Sequence, residues 1–145
     1  PTDKPLPVGL GLHPYFPHLK NTTLHFETQT FWLEGPDHLP TEGLAVPPEL
    51  SFSTPKKVPL TWRNNCYGGW RGRAVIGQPD LGYRLEMTAD SGLDHLMFYT
   101  PQTGVFALEP QSHLSGRTCV ATDGLRKLAP GERLEARVTF TVTAL

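Results

Sequence analysis

The most regular alternation of apolar and polar positions lies near the end of the chain, where Leu134, Ala136, Val138, Phe140 and Val142 interleave with Glu135, Arg137, Thr139 and Thr141. A period of two with one wet face predicts a half-buried β-strand, and Pro130-Gly131 ahead of it supplies a turn. The stretch 23–33 opens in the same way, Leu24 and Phe26 alternating with Thr23 and His25, and 82–88 sets Tyr83, Leu85 and Met87 on one face. By contrast, 96–100 and 105–109 are short and apolar almost throughout, the pattern of strands buried on both faces. Between these runs the chain is punctuated by 15 prolines and 14 glycines, which leave little room for long helices. The expectation is an all-β chain. Its densest proline stretch, 35–59, predicts a long functional loop or irregular lid, with Leu44, Val46, Leu50 and Phe52 available to anchor it.

At 145 residues the chain is one domain's worth, or part of one. Thirteen Lys and Arg balance 14 Asp and Glu, so no electrostatic footprint points to nucleic acid or to an acidic membrane surface. No apolar run approaches the ~20 residues of a spanning helix, and the visible chain reads as soluble, with the cytoplasm as its default compartment. Cys66 and Cys119 are widely spaced and in no C-x-x-C pattern, so neither a zinc site nor a disulfide framework is indicated. The first residue, Pro1, is what a trimmed or internal stretch of a longer protein would show.

Candidate chemistry begins with Glu109, a carboxylate closing the apolar run Val105-Phe106-Ala107-Leu108. Burying an ionised carboxylate is costly unless it finds donors, shifts its pKa or faces a polar cleft. His13, before Pro14 in a glycine-rich segment, is the distant group able to exchange protons with it near neutral pH. His113, four residues beyond Glu109, can orient the carboxylate or anchor a loop. Trp70, after Gly68-Gly69, can offer an aromatic face to a ligand or fill the core. Asp37-His38 and Asp94-His95 read as solvated polar pairs. No nucleophile elbow, zinc-protease helix or phosphate-binding loop occurs.

Five ordered blocks carry a resemblance. Gly9-Leu10-Gly11-Leu12-His13-Pro14-Tyr15-Phe16, Asn64-Asn65-Cys66-Tyr67-Gly68-Gly69-Trp70, Phe98-Tyr99-Thr100-Pro101, Glu109-Pro110-Gln111-Ser112-His113 and Leu128-Ala129-Pro130-Gly131-Glu132 resemble the motifs of the aldose 1-epimerase (galactose mutarotase) family, over the C-terminal half of its domain. The resemblance implies an antiparallel β-sandwich of the galactose mutarotase-like type, and an isomerase that interconverts the α and β anomers of a hexose. Anomer exchange needs one base to take the proton of the C1 hydroxyl and one acid to protonate the ring oxygen. By resemblance Glu109 is the base and His13 the acid, with Asn64, Trp70 and His113 as substrate-binding residues and no metal or organic cofactor required. Asn64 stands where the family commonly has Asp, and Met97 where some members have an amide. The resemblance further implies that an N-terminal half supplying another Arg and His for the sugar is missing. The chain alone is then expected to be inactive, to self-associate, or to pair with a separate N-terminal fragment. Competing readings are a non-catalytic carbohydrate-binding module on the same scaffold, and a hexose-phosphate epimerase using Arg63, Arg71 and Arg73 as a phosphate clamp.

Overall fold

The computed structural model describes residues 3–114, 116 and 124–145; Cys119 lies outside them. Among the described residues the regular structure is strand, apart from one 3-10 turn at Pro79–Leu81, and no helix is long or apolar enough to cross a membrane. In chain order the strands are β1 (Leu6–Val8), β2 (Tyr15–Pro17), β3 (Thr23–Phe26), β4 (Thr30–Glu34), β5 (Pro40–Ala45), β6 (Lys56–Lys57), β7 (Arg63–Gly68), β8 (Arg73–Gln78), β9 (Tyr83–Ala89), β10 (His95–Thr100), β11 (Val105–Gln111), β12 (Arg126–Leu128) and β13 (Val138–Ala144).

They form a six-stranded sheet in the order β2-β11-β10-β7-β4-β5, a five-stranded sheet β13-β9-β8-β3-β6, and a small β1-β12 pair. Every pairing is antiparallel. The core lies between the two larger sheets. Phe31, Tyr67, Leu96, Phe98, Phe106 and Leu108 of the first meet Leu24, Phe26, Ala74, Ile76 and Met87 of the second. The Phe26 and Tyr67 rings cross the gap edge to face at 5.1 Å. Burying these side chains on alternate positions of facing sheets is what a β-sandwich requires, and the all-β expectation holds.

Strands β10 and β11 are buried on both faces, as their unbroken apolar runs predict. Three other expectations need correction. The stretch 23–33 is two strands in different sheets, because the Phe26 N–H is taken by the Phe52 carbonyl and the Gln29 N–H by Gly68, which turns the chain from one layer into the other. The final strand starts at Val138 rather than at 134. Asp90 ends its partner strand and ties off Arg137 through both backbone and carboxylate, so no ladder remains for Leu134 and Ala136. The proline-rich stretch is not a lid: it contributes β5 to one sheet and β6 to the other, and seats Phe52, Val46 and Leu50 against the core while Leu44 stays exposed.

Candidate active site

The segment Gly11–Pro17 runs antiparallel to β11 in a fixed register: Tyr15 is opposite Ala107, Phe16 opposite Phe106, and an isolated bridge joins Gly11 to Gln111. Leu12 donates to the Pro110 carbonyl and Leu108 to that of Pro14, holding the intervening residues in the same register. His13 therefore falls across from Glu109 even though 96 positions separate them in sequence. Pro14 is tolerated because this is the sheet's edge.

Cross-strand register extends the row. Glu109 faces Met97 on β10, and Met97 faces Cys66 on β7; the next row outward is Ala107, Tyr99 and Asn64. Partners and every second residue share a face, so His13, Glu109, Met97, Tyr99 and Asn64 look out from one side of the sheet while Phe106, Leu108, Leu96 and Phe98 face the core. These five line an open cleft of about 330 Å³.

His13 Nε2 lies 3.1 Å from Glu109 Oε1, and its ring stacks on Tyr15 at 4.7 Å between centroids. The other carboxylate oxygen, Oε2, accepts from Gln111 Nε2 at 3.2 Å. The Glu109 side chain is only 9% exposed. Burial pushes its pKa above the usual carboxylate range, and the opposing pull of His13 and of the Gln111 donor does not cancel that rise.

At the far side of the cleft, Asn64 Nδ2 donates to Glu34 Oε1 (2.9 Å) and to the His38 carbonyl (3.2 Å). Glu34 also receives His38 Nδ1 at 2.5 Å and a hydrogen bond from the Trp62 side chain. Here too burial works against the charged form, but the Asn64, His38 and Trp62 donors outweigh it and hold the Glu34 carboxyl below its ordinary pKa. Glu34 is a residue that sequence reasoning missed, although it shows the signal that picked out Glu109: a carboxylate ending the apolar run Phe31-Trp32-Leu33. Asp37 and His38 are exposed, as expected of solvated residues, and His38 in addition engages Glu34. His95, by contrast, is buried and bonded through Nδ1 to Asp94 Oδ1 at 2.8 Å, not solvated.

The other sequence-predicted residues are not in the cleft. Trp70 is 3% exposed within the core, its Nε1 donating to the Arg73 carbonyl at 3.0 Å, so its ring has no face to offer a ligand. His113 lies beyond the end of β11 against Gly9, where a Cβ would sit 2.2 Å from Nδ1, so only glycine fits beneath the ring. Burial and the nearby His95 lower its pKa. Of the basic trio, Arg73 pairs with Glu86 and Arg71 with Glu27, and both line a hollow on the other sheet with His25. Arg63 is opposite Thr100 on the core-facing side of its sheet.

An antiparallel sandwich thus brings an imidazole against a buried carboxylate whose pKa is raised, at an open polar cleft. The family model for aldose 1-epimerase matches residues 1–141, and the chain belongs to that family. It is 34% identical over 147 residues to the uncharacterized protein YphB of Escherichia coli K12, covering 94% of this chain and 51% of that protein. A crystal structure from Escherichia coli K12, provisionally assigned as an aldose 1-epimerase, superimposes with a TM-score of 0.91 at 31% identity, covering 99% of this chain and 53% of the other. A galactose mutarotase-like protein from Clostridium acetobutylicum shares the fold at a TM-score of 0.75 and 15% identity, with 99% of this chain and 50% of the other covered. The chain thus spans about half the length of the relatives it matches.

Proposed function

We propose that this chain carries the acid/base pair of an aldose 1-epimerase acting on a hexose. The observation that supports this is the 3.1 Å contact between His13 Nε2 and Glu109 Oε1 in an open cleft, with Glu109 pushed up by burial. A base whose pKa is raised is a stronger proton acceptor than an ordinary carboxylate.

In this reading, Glu109 removes the proton from the C1 hydroxyl while protonated His13 delivers one to the ring oxygen. The C1–ring oxygen bond breaks and the C1–O1 bond becomes a carbonyl. After rotation about C1–C2, the ring hydroxyl attacks the other face of the aldehyde, its proton returns to His13, and Glu109 gives its proton back to O1. Both groups end as they began, so the cycle balances without a co-reactant. Gln111 holds the carboxylate by Oε2, so that Oε1, which meets His13 Nε2 before a sugar enters, is the oxygen that takes the proton, while Tyr15 fixes the imidazole plane. Met97 and Tyr99 form the floor, and Asn64 binds a hydroxyl. The relatives' additional length is the natural source of further sugar contacts.

The test is polarimetry on α-glucose and α-galactose, alongside sugar titration. Acceleration that is lost in Glu109→Gln while binding persists supports the reading; an unchanged rate in that variant removes the assignment of the base. Sugar binding without acceleration would favour a carbohydrate-binding module. A phosphosugar substrate is disfavoured by the positions of Arg63, Arg71 and Arg73, none of which lines the cleft.

A further inference from the structure

Asn64 is an amide, and an amide free to rotate can present either a donor or an acceptor to a ligand. Here it is not free. Its Nδ2 carries two hydrogens, and two acceptors are in place for them, Glu34 Oε1 at 2.9 Å and the His38 carbonyl at 3.2 Å. Rotating the amide would set Oδ1 against a carboxylate and a carbonyl, replacing two hydrogen bonds by two repulsions.

The carboxylate itself is fixed from several sides. His38 Nδ1 and the Trp62 side chain donate to it as well as Asn64. His38 serves twice, because its backbone adopts a left-handed φ of 61° in the turn from Gly35 to Leu39, and its carbonyl accepts from Asn64 while its ring engages Glu34. Left-handed backbone is uncommon for a residue other than glycine, and a position that holds it is over-determined by its surroundings. Trp62 in turn meets the Tyr99 ring edge to face at 5.2 Å, which joins the cluster to the cleft floor.

We propose that Glu34 is the positioning and specificity-determining residue for Asn64: together with the His38 carbonyl it consumes both amide hydrogens and makes Asn64 an acceptor only, so that the ligand group at this end of the cleft must donate a hydrogen bond. The inference rests on the proposed sugar-binding role of the cleft. It assigns Glu34 and Asn64 together the acceptor function a single aspartate would have, with the negative charge moved one residue back from the ligand. A direct consequence is that an aspartate at position 64 is incompatible with Glu34, since two carboxylates would then meet at hydrogen-bond distance.

Two measurements on the whole chain test this. The first needs no ligand: a double-mutant cycle of denaturation midpoints at pH 8 for Glu34→Gln, Asn64→Asp and the pair. The expected outcome is that Asn64→Asp lowers the midpoint sharply and that adding Glu34→Gln restores most of the loss, because the glutamine amide can donate to the new carboxylate. Additive effects would overturn the proposal whatever the cleft binds. The second is a calorimetric titration with glucose or galactose and their monodeoxyfluoro analogues, fluorine being unable to donate. One ring position is expected to lose about tenfold in affinity on fluorination in the parent chain, and that ratio is expected to fall towards one in Glu34→Ala, which leaves one Asn64 amide hydrogen without its acceptor so that the NH2 can turn to the fluorine. An unchanged ratio would overturn the specificity role. If no hexose binds while the stability cycle shows coupling, the positioning role of Glu34 stands and the sugar reading of the cleft falls.

Discussion

Two carboxylates bracket one cleft, and the protein treats them in opposite ways. Glu109 is 9% exposed and Glu34 21%, both end apolar runs, and both lose solvation. Glu109 is left with one side-chain donor and a half-exposed imidazole, and burial prevails; Glu34 gathers Asn64, His38 and Trp62, and the donors prevail. One carboxylate is therefore primed to take a proton and the other to stay charged. The lesson is that ionisation follows the balance of burial against donors, and the deeper carboxylate with fewer donors is the one whose pKa rises.

The sharpest way to break this comparison is Glu109→Gln. In the proposed reaction it removes the base, and the expected loss is about 10²–10⁴-fold in mutarotation rate, with sugar affinity changed only slightly, read by polarimetry and titration. Stability should move the other way. A carboxyl whose folded pKa is raised binds its proton more tightly in the native state. Its contribution is therefore fully present below the unfolded value of 4.5 and lost as pH rises through the folded value. At pH 8 the glutamine variant is expected to have the higher denaturation midpoint, and at pH 4 the difference should vanish. A less stable variant at pH 8 would mean that the His13 contact outweighs desolvation.

His13→Asn tests the other half of the pair. Loss of the acid is expected to slow turnover by about 10²-fold, at the lower end of acid/base contributions because water can reach a half-exposed position and protonate the ring oxygen in its place. The same polarimetric assay checks it, and a rate within threefold of the parent would move the acid elsewhere.

Glu34→Gln sharpens the comparison by sign. A lowered folded pKa contributes stability that is present above the unfolded value of 4.5 and lost as pH falls through the folded one. Denaturation midpoints at pH 8 should therefore drop in this variant, by an amount matching one charge-assisted hydrogen-bond cluster at a part-exposed site, about 1 kcal/mol. The loss should disappear at low pH. Glu109→Gln and Glu34→Gln are thus expected to give pH–stability profiles of opposite direction from the same substitution.

Part of this was legible from residues alone. The unbroken apolar runs of β10 and β11 reported strands covered on both sides, and the carboxylate ending one of them lines a cleft. What alternation does not carry is the choice of sheet. Thr23 to Leu33 has a strand's pattern, yet the hydrogen bonds of Phe26 and Gln29 split it between two layers. Strand β7 was invisible as a strand because Arg63-Asn64-Asn65 has no apolar period; its place between β10 and β4, paired on both edges, holds it extended. Trp70 shows the converse limit, since composition cannot tell an aromatic that fills the core from one that faces a ligand. Glu34 and Asn64 lie 30 positions apart, and only the β4–β7 pairing makes them neighbours.

The smallest expected effect falls on Gln111. Its Nε2 is committed to Glu109 Oε2, an orientation the carboxylate enforces, and this leaves Oε1 buried without a hydrogen-bond partner among the described residues. Gln111→Leu would remove both the donor and the unsatisfied acceptor. On stability the lost bond and the relieved acceptor oppose each other, so the denaturation midpoint should change little. On ionisation they do not, because only the donor acts on Glu109, whose pKa it lowers. Without the donor that pKa rises further. The acidic limb of the mutarotation rate, which follows deprotonation of the base, is therefore expected to shift to higher pH while the plateau falls only modestly. A rate–pH profile that keeps its limb would show that Gln111 merely packs beside the base, and the contrast between a donor-poor and a donor-rich carboxylate would lose its most direct support.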